Sequence, residues 1–237
     1  MGDTSGEDDR RFHGRRRGRK LRPGLERLLE TSLSAAKVRL PEGDEPVDPR
    51  ALFDRDVSQV WLEIGFGAGE HLAWQALHHP HVGLIGAEPY LNGVARLLAA
   101  MERDALGNIS ILPDDVRPLL DRLADASLGR VFILFPDPWP KRRHNRRRIV
   151  NLSILDVLAR VMANGSELRL ATDDQDYLVW MLRHMTAHPA FEWLADRADD
   201  WRVRPDDWPD TRYEGKNRSS GPGPTFLRYR RRSRGGE

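Results

Sequence analysis

The feature that most constrains the fold is a glycine-rich turn in the stretch LEIGFGAGEH, which lies between an apolar run and an amphipathic segment. The run SQVWLEI predicts a short buried strand, and Leu72, Ala76 and Leu77 fall on one face of the helix that follows. Strand patterns recur in HVGLIGAEPY, NISILPDD, RVFILFPDPW and SELRLATDD, and helical spacing recurs in three stretches, 25–33, 91–106 and about 147–162. This alternation predicts an α/β fold, a doubly wound and mostly parallel sheet with helices on both faces.

The length of 237 residues suits one well-cored domain. Residues 1–20 are poor in apolar side chains and rich in Gly, Asp and Arg, so we expect a basic, disordered leader there and a single domain over 21–237. The chain has no cysteine, which excludes disulfides and thiolate metal sites. No apolar run approaches the about 20 residues that span a bilayer. We therefore expect a cytoplasmic protein with no membrane association.

Basic residues are concentrated in three tracts, RRFHGRRRGRKLR, KRRHNRRR and RYRRRSR, although the net charge is only +2. Three tracts that converge in space would give the electrostatic footprint of a nucleic-acid-binding protein. A solvated face or tail accounts for any single tract equally well.

Acidic side chains follow three successive predicted strands, at the edge where doubly wound sheets bind ligands. Glu63 is a natural neighbour for a cationic, amino-acid-like group, and Glu88 is placed to accept hydrogen bonds from ribose hydroxyls. Asp115 is placed to accept from an adenine amino group, with Asp114 as the alternative. Three carboxylates without partners would be costly to bury, so the pattern favours a ligand.

The turn between the first strand and helix places glycines where the backbone can approach that ligand. Their spacing is GxGxG, at Gly65, Gly67 and Gly69, and it departs from the GxGxxG of dinucleotide-binding folds. A nucleotide-dependent oxidoreductase is therefore the weaker alternative. An RNA-binding module with a degenerate cofactor pocket is a second alternative, motivated by the basic tracts.

The segment FPDPWPKRRHNRRR joins an acidic turn to a cluster of cations. Prolines on both sides of Asp137 restrict the backbone there, so the turn should hold this carboxylate stiffly. The arginines that follow indicate a polyanion nearby.

Together, EIGFGAGEH, GAEPYLNGV, FPDPWPKRRHNRRR, ATDDQDY and TRYEGK resemble the bacterial tRNA (guanine-N7)-methyltransferase family over about residues 55–232. PDPW followed by KxRHxxRR, and TRYExK near the C-terminus, are the most specific stretches. The resemblance implies a class I methyltransferase fold with a seven-stranded sheet and S-adenosylmethionine as the cofactor. It also implies methylation of guanine 46 at N7 in the variable loop of tRNA.

The resemblance also assigns roles to individual residues. Cofactor acids of the family match Glu63, Glu88 and Asp115, which favours Asp115 over Asp114, and the acid of PDPW matches Asp137, assigned to catalysis and the cofactor. Substrate positions match Lys141, Asp173, Thr211, Arg212, Tyr213 and Glu214. An RNA-contacting segment matches Arg143, His144, Asn145, Arg146, Arg147 and Arg148. The glycines of the turn belong to the cofactor site.

The chemistry needs no general base, because guanine N7 has an in-plane lone pair and no proton. The protein's task is then positioning and stabilisation of charge. Asp137 is best interpreted as a clamp that accepts from N1 and the exocyclic amino group of guanine, or that holds the cofactor's ammonium.

Several roles have simpler structural alternatives. Trp139 and Tyr213 either stack on a base or pack against the protein, and Asp173 either binds substrate or caps the next helix, a role that Asp174 could also fill. The loop over 205–222 is either a lid or a connection. The histidines show no ligand spacing, so we expect no metal. We expect a monomer or homodimer with no obligate protein partner.

Overall fold

The structure, a computed structural model, describes residues 14–209 and 223–235. Its strands form one seven-stranded sheet in the order β3-β2-β1-β4-β5-β7-β6. They are β1 (Gln59–Ile64), β2 (Val82–Ala87), β3 (Ile109–Leu112), β4 (Leu128–Leu134), β5 (Met162–Thr172), β6 (Phe191–Trp193) and β7 (Thr225–Arg231). β1 to β5 are parallel, and β7 runs antiparallel between β5 and β6. The predicted doubly wound, mostly parallel sheet is confirmed.

Helices cover both faces of this sheet. They are α1 (Pro23–Thr31), α2 (Leu33–Ala36), α3 (Glu70–His78), α4 (Leu91–Asp104), α5 (Arg117–Arg122), α6 (Leu152–Val161), α7 (Gln175–Ala187) and α8 (Asp199–Arg202), with 3-10 helices at Pro49–Leu52 and Arg142–Arg147. Strand side chains alternate between two apolar cores: Leu62 packs with α5, α6 and α7, whereas Trp61 packs with α1, α3 and α4. Burial on both faces explains why the predicted strands are almost continuously apolar.

The helix predicted from about residue 147 begins at Leu152 instead. The Asn151 side chain accepts a hydrogen bond from Ile154 N at 3.0 Å and so caps the helix at this point. The preceding basic residues form the 3-10 helix, which separates the PDPW turn from α6.

Residues 14–20, the described part of the predicted leader, lie against the start of α4. Leu91 N donates to Arg16 O at 3.0 Å, and Asn92 exchanges side-chain hydrogen bonds with Gly18 N and Arg19 O. Arg16 also forms an ion pair with Asp114 at 2.7 Å. This part of the basic segment is therefore attached to the domain. Among the described residues, no helix is both long and apolar enough to cross a bilayer.

The third basic tract is a strand of the sheet. Phe226, Leu227 and Tyr229 of β7 are buried, and Arg231 is buried with its Nε donating to Ala159 O at 2.8 Å. Only part of this tract therefore contributes positive charge to the surface.

Candidate cofactor and substrate site

The glycine turn after β1 has one open side and one supported side. Gly65, Gly67 and Gly69 have φ values of 75°, 57° and 77°, in the left-handed region that favours glycine. A Cβ built on Gly65 or Gly67 would meet no atom within 4 Å, so this backbone faces open space. On the other side, a Cβ on Gly93 would lie 1.9 Å from Gly67 O, so the start of α4 packs directly against the turn.

Glu88, at the end of β2, is joined to that turn through its carboxylate. One oxygen accepts from Gly67 N and the other from Tyr90 N, both at 2.8 Å. Burial raises the pKa of the Glu88 carboxyl; these hydrogen bonds oppose the shift, and the charges of Asp137 and Glu63 add to it. Asp137 and Glu63 therefore each lie within electrostatic range of Glu88.

Glu63, at the end of β1, is buried and has a histidine partner on α3. Its carboxylate lies 2.7 Å from His71 Nδ1, and Gln75 Nε2 lies 3.1 Å from His71 Nε2. Gln75 Nε2 also donates to Asp207 O at 2.9 Å, which fixes the amide with its nitrogen towards the histidine. His71 Nε2 is therefore the acceptor, and Nδ1 carries the proton that is donated to Glu63.

The hydrogen bonds that link Gln75, His71 and Glu63 were not predicted from the sequence. Its signal was present, because His71 and Gln75 are one helical turn apart directly after the glycine turn. An i, i+4 pair of polar residues on the buried face of a helix indicates a partner that satisfies both.

The two candidate adenine acids both have partners within the chain. Asp115 accepts from Arg117 N at 3.0 Å and from the Arg117 guanidinium at 2.8 Å. Burial alone would raise the pKa of Asp114, but the hydrogen bond from Asp115 N and the Arg16 cation hold it below its usual value. The assignment of adenine to Asp115 stays a prediction.

The turn after β4 bears Asp137, which is exposed. Phe135 and Trp139, on either side of it, have φ values of 48° and 47°. Bulky residues rarely adopt this region, and such strain persists only where the surroundings impose it.

Phe135 N donates to Ala171 O of β5 at 2.8 Å, and Arg148 and Asn145 restrain the Trp139 end of the turn. Arg148 is 1% exposed, and its Nε donates to Pro138 O at 2.8 Å while its terminal nitrogen pairs with Asp176. The Asn145 amide, with its nitrogen towards the turn, donates to Trp139 O at 3.2 Å and Lys141 O at 3.3 Å. The prediction that Arg148 contacts RNA is therefore corrected, because its guanidinium is buried against protein.

The other cations of the segment reach the surface. Lys141, Arg143 and Arg146 are exposed, and His144 and Arg147 are half-buried beside Trp139. The Arg147 guanidinium lies 5.0 Å from the centre of the Trp139 ring, so this tryptophan is packed on at least one side. Burial, together with the neighbouring arginines, lowers the pKa of His144.

The helix cap after β5 is Asp174, whose side chain accepts from Tyr177 N at 2.7 Å. Asp173 is half-buried beside it and does not cap α7, so its predicted contact with substrate stays open. The remaining predicted substrate residues, Thr211, Arg212, Tyr213 and Glu214, lie outside the described residues.

The described first part of the predicted lid, residues 205–209, is anchored beside the site. Arg169 is buried and forms two hydrogen bonds with the Asp207 carboxylate, at 2.9 and 2.7 Å. Trp208 is buried between His71 and Phe226, with ring centres 5.3 and 5.2 Å away. Through Gln75, this anchor and Glu63 belong to one hydrogen-bonded network. Within 14–209 and 223–235, no cluster of three or more His, Asp or Glu side chains is arranged to hold a metal ion.

Comparison with known proteins decides the family. Residues 58–225 match the family model described as "Putative methyltransferase". A tRNA (guanine-N(7)-)-methyltransferase from Rhodospirillum rubrum is 52% identical over 96% of this chain and 90% of its own. One from Paramagnetospirillum magneticum is 52% identical over 94% of each chain. The chain belongs to the tRNA (guanine-N7)-methyltransferase family. This membership leaves the oxidoreductase alternative without support.

Solved structures agree with this methyltransferase family in fold. The 16S rRNA methyltransferase KamB superposes with a TM-score of 0.56 at 15% identity, over 83% of this chain and 99% of its own. A SAM-dependent O-methyltransferase from Thermotoga maritima superposes with a TM-score of 0.51 at 12% identity, over 91% of this chain and 74% of its own. The class I methyltransferase fold implied by the sequence is confirmed.

Proposed function

We propose that this chain transfers the methyl group of S-adenosylmethionine to N7 of guanine 46 in the variable loop of tRNA. The observation that carries the proposal is the 52% identity, over at least nine tenths of both chains, with relatives named tRNA (guanine-N(7)-)-methyltransferases. The tRNA partner and a cytoplasmic location follow from the same proposal.

The glycine turn and its acids fit the cofactor. No side chain within the described ranges fills the space beside the backbone of Gly65 and Gly67, and this space leaves room for a ligand. Glu88 retains a free lone pair on each oxygen for ribose hydroxyls, and Glu63, oriented by His71, suits the ammonium of the amino-acid portion. S-adenosylmethionine supplies an electrophilic methyl group on a sulfonium.

Asp137 is the residue that we assign to the reaction itself. It is exposed on a restrained turn and lies within electrostatic range of Glu88, so it borders the cofactor acids. Its carboxylate either accepts from the N1 and amino hydrogens of guanine or holds the cofactor's ammonium. It removes no proton from N7, which has none, and a fixed negative charge stabilises the positive charge that develops on the base.

The exposed cations beside this turn are the proposed contacts to RNA phosphates. Lys141, Arg143 and Arg146 project from the segment that follows Asp137. Phosphate contacts fix the position of an RNA, whereas contacts to base edges determine which base is chosen. Asp137 and Asp173, beyond the ends of neighbouring strands, are the proposed groups for base contacts.

The deciding experiment incubates the protein with unmodified tRNA and methyl-labelled S-adenosylmethionine. Nucleoside mass spectrometry and chain cleavage at N7-methylguanine then locate the label. The matched control is the same tRNA with 7-deazaguanine at position 46, which lacks only the accepting nitrogen. Label that disappears in this control supports the proposal, whereas label on another atom or position contradicts the substrate assignment.

A further inference from the structure

Arg148 differs from the other arginines of its segment because its charge is buried. Its guanidinium lies 4.9 Å from the Tyr177 ring centre and 5.1 Å from the Trp180 ring centre, with Pro138 O and Asp176 as its hydrogen-bond acceptors. A buried guanidinium is tolerated only where such partners replace water. The site therefore matches the planar, forked shape of arginine and would not suit lysine.

The position of these partners links two functional elements. Pro138 directly follows Asp137 in the strained turn, and Asp176 lies in the first turn of α7, beyond Asp173. Arg148 thus joins the turn after β4 to the helix after β5. Trp180 Nε1 donates to Val150 O at 2.6 Å and ties the same helix to the chain just after Arg148.

We propose that Arg148 is a positioning residue, which holds the turn so that the Asp137 carboxylate faces the reacting base, and that it does not bind RNA. The inference rests on the proposed function for Asp137. Trp139 needs a restraint to keep its left-handed conformation, and Arg148 is hydrogen-bonded to Pro138, the residue directly before it. Phe135, at the other end of the turn, is held by the hydrogen bond from its N to Ala171 O.

The experiment compares Arg148→Lys with Arg146→Ala, an exposed arginine in the same segment. We measure the single-turnover rate at saturating tRNA and S-adenosylmethionine, and the tRNA dissociation constant as a function of salt. Arg148→Lys should lower the rate about 10²-fold, because misplacement of a reacting group by about 1 Å has effects of this size. Its salt slope should match that of the unaltered protein. Arg146→Ala, at a proposed phosphate contact, should instead reduce the slope by about one.

Hydrogen exchange supplies a readout that does not depend on methylation. Arg148→Lys should speed amide exchange in peptides covering residues 135–147 and leave β1 and the glycine turn unchanged. Arg146→Ala should change neither. This arm tests Arg148 even if the unaltered protein methylates a different atom, so failure of the proposed function and failure of this inference are distinguishable.

Two further variants keep the proposal testable if Arg148→Lys does not fold. Asp176→Asn weakens one anchor of Arg148 at a side chain that is 72% exposed, and should give the same pattern at smaller size. For Arg148→Ala, added guanidinium should restore part of the rate, whereas equal sodium chloride should not. A reduced salt slope with an unchanged rate in Arg148→Lys or Asp176→Asn would make Arg148 a phosphate contact and overturn the proposal.

Discussion

Two neighbouring regions at the same edge of the sheet are built on different principles. The glycine side, formed by the ends of β1 and β2 with the starts of α3 and α4, uses positive φ only at glycines and holds Glu88 by backbone amides. The PDPW side, residues 135–148 with the start of α7, places positive φ at Phe135 and Trp139. One backbone hydrogen bond ties Phe135 to β5, and two side chains, Asn145 and Arg148, restrain the residues around Trp139.

This difference predicts different responses to mutation. Backbone geometry at glycines is unstrained, so the glycine side should tolerate changes to neighbouring polar side chains with moderate losses. A strained turn held by few side chains should lose function sharply when one of them, or the group it presents, is removed.

The largest expected effect tests the group that the PDPW side presents. Asp137→Ala should lower the single-turnover rate by about 10²–10³-fold, the range for loss of one positioned charge-stabilising group. tRNA affinity should stay within about threefold, because phosphate contacts dominate affinity. Rapid-quench methylation and filter binding measure the two. An unchanged rate would show that Asp137 takes no part in the reaction and that the PDPW side is not the more sensitive of the two regions.

Gly93→Ala tests whether the glycine side is as closely packed as its geometry indicates. The new methyl would collide with Gly67 O, so we expect the free energy of unfolding to fall by about 1–3 kcal/mol and S-adenosylhomocysteine to bind more weakly. Thermal unfolding and calorimetry measure these effects. The matched control is Gly24→Ala in α1, where a Cβ meets nothing within 4 Å and no loss is expected. Equal behaviour of the two variants would show that the turn adjusts freely.

His71→Phe separates side-chain support from backbone support on the glycine side. Without the imidazole, Glu63 stays buried and loses its hydrogen bond, so S-adenosylhomocysteine affinity should fall about tenfold, as expected for a bond to a charged group. In His71→Asn the amide nitrogen can take the place of Nδ1, and affinity should remain within about threefold. Isothermal titration calorimetry measures the affinity of each variant. Equal losses of affinity in both variants would show that the effect comes from packing and not from the hydrogen bond.

Glu88→Gln gives the smallest expected effect, on stability and its pH dependence. Because burial raises the pKa of Glu88 above its unfolded value, the native protein binds the proton more tightly, and stability falls as pH rises through the folded pKa. Glu88→Gln removes this pH-dependent penalty, but its amide NH2 faces Gly67 N or Tyr90 N and leaves that donor without an acceptor, so the variant should be less stable by about 1 kcal/mol below the unfolded pKa. Thermal unfolding should show this deficit narrowing as pH rises towards 7, because only the unaltered protein loses stability over that range. A deficit independent of pH would contradict a buried Glu88 that ionises in the native protein.

The sequence predicted most of the glycine side, because periodicity, glycine spacing and acids at strand ends are local signals. It also predicted a stiff turn at Asp137. It could not separate Arg148 from its neighbours, since a run of like charges does not show which member is turned inwards by contacts with α7. Asp173 and Asp174 likewise both precede the helix, and only the path of the backbone in the structure shows that the Asp174 carboxylate is the one that caps it. The pair formed by His71 and Glu63 depends on how α3 packs against β1.

The position of β7 matters while the chain is being made. β7 is the last described strand to leave the ribosome, yet it lies inside the sheet, between β5 and β6. Until it arrives, β5 exposes an edge of unpaired backbone groups and β6 has no neighbour in the sheet. A nascent or truncated chain without β7 therefore presents an aggregation-prone surface, the kind of surface that molecular chaperones cover.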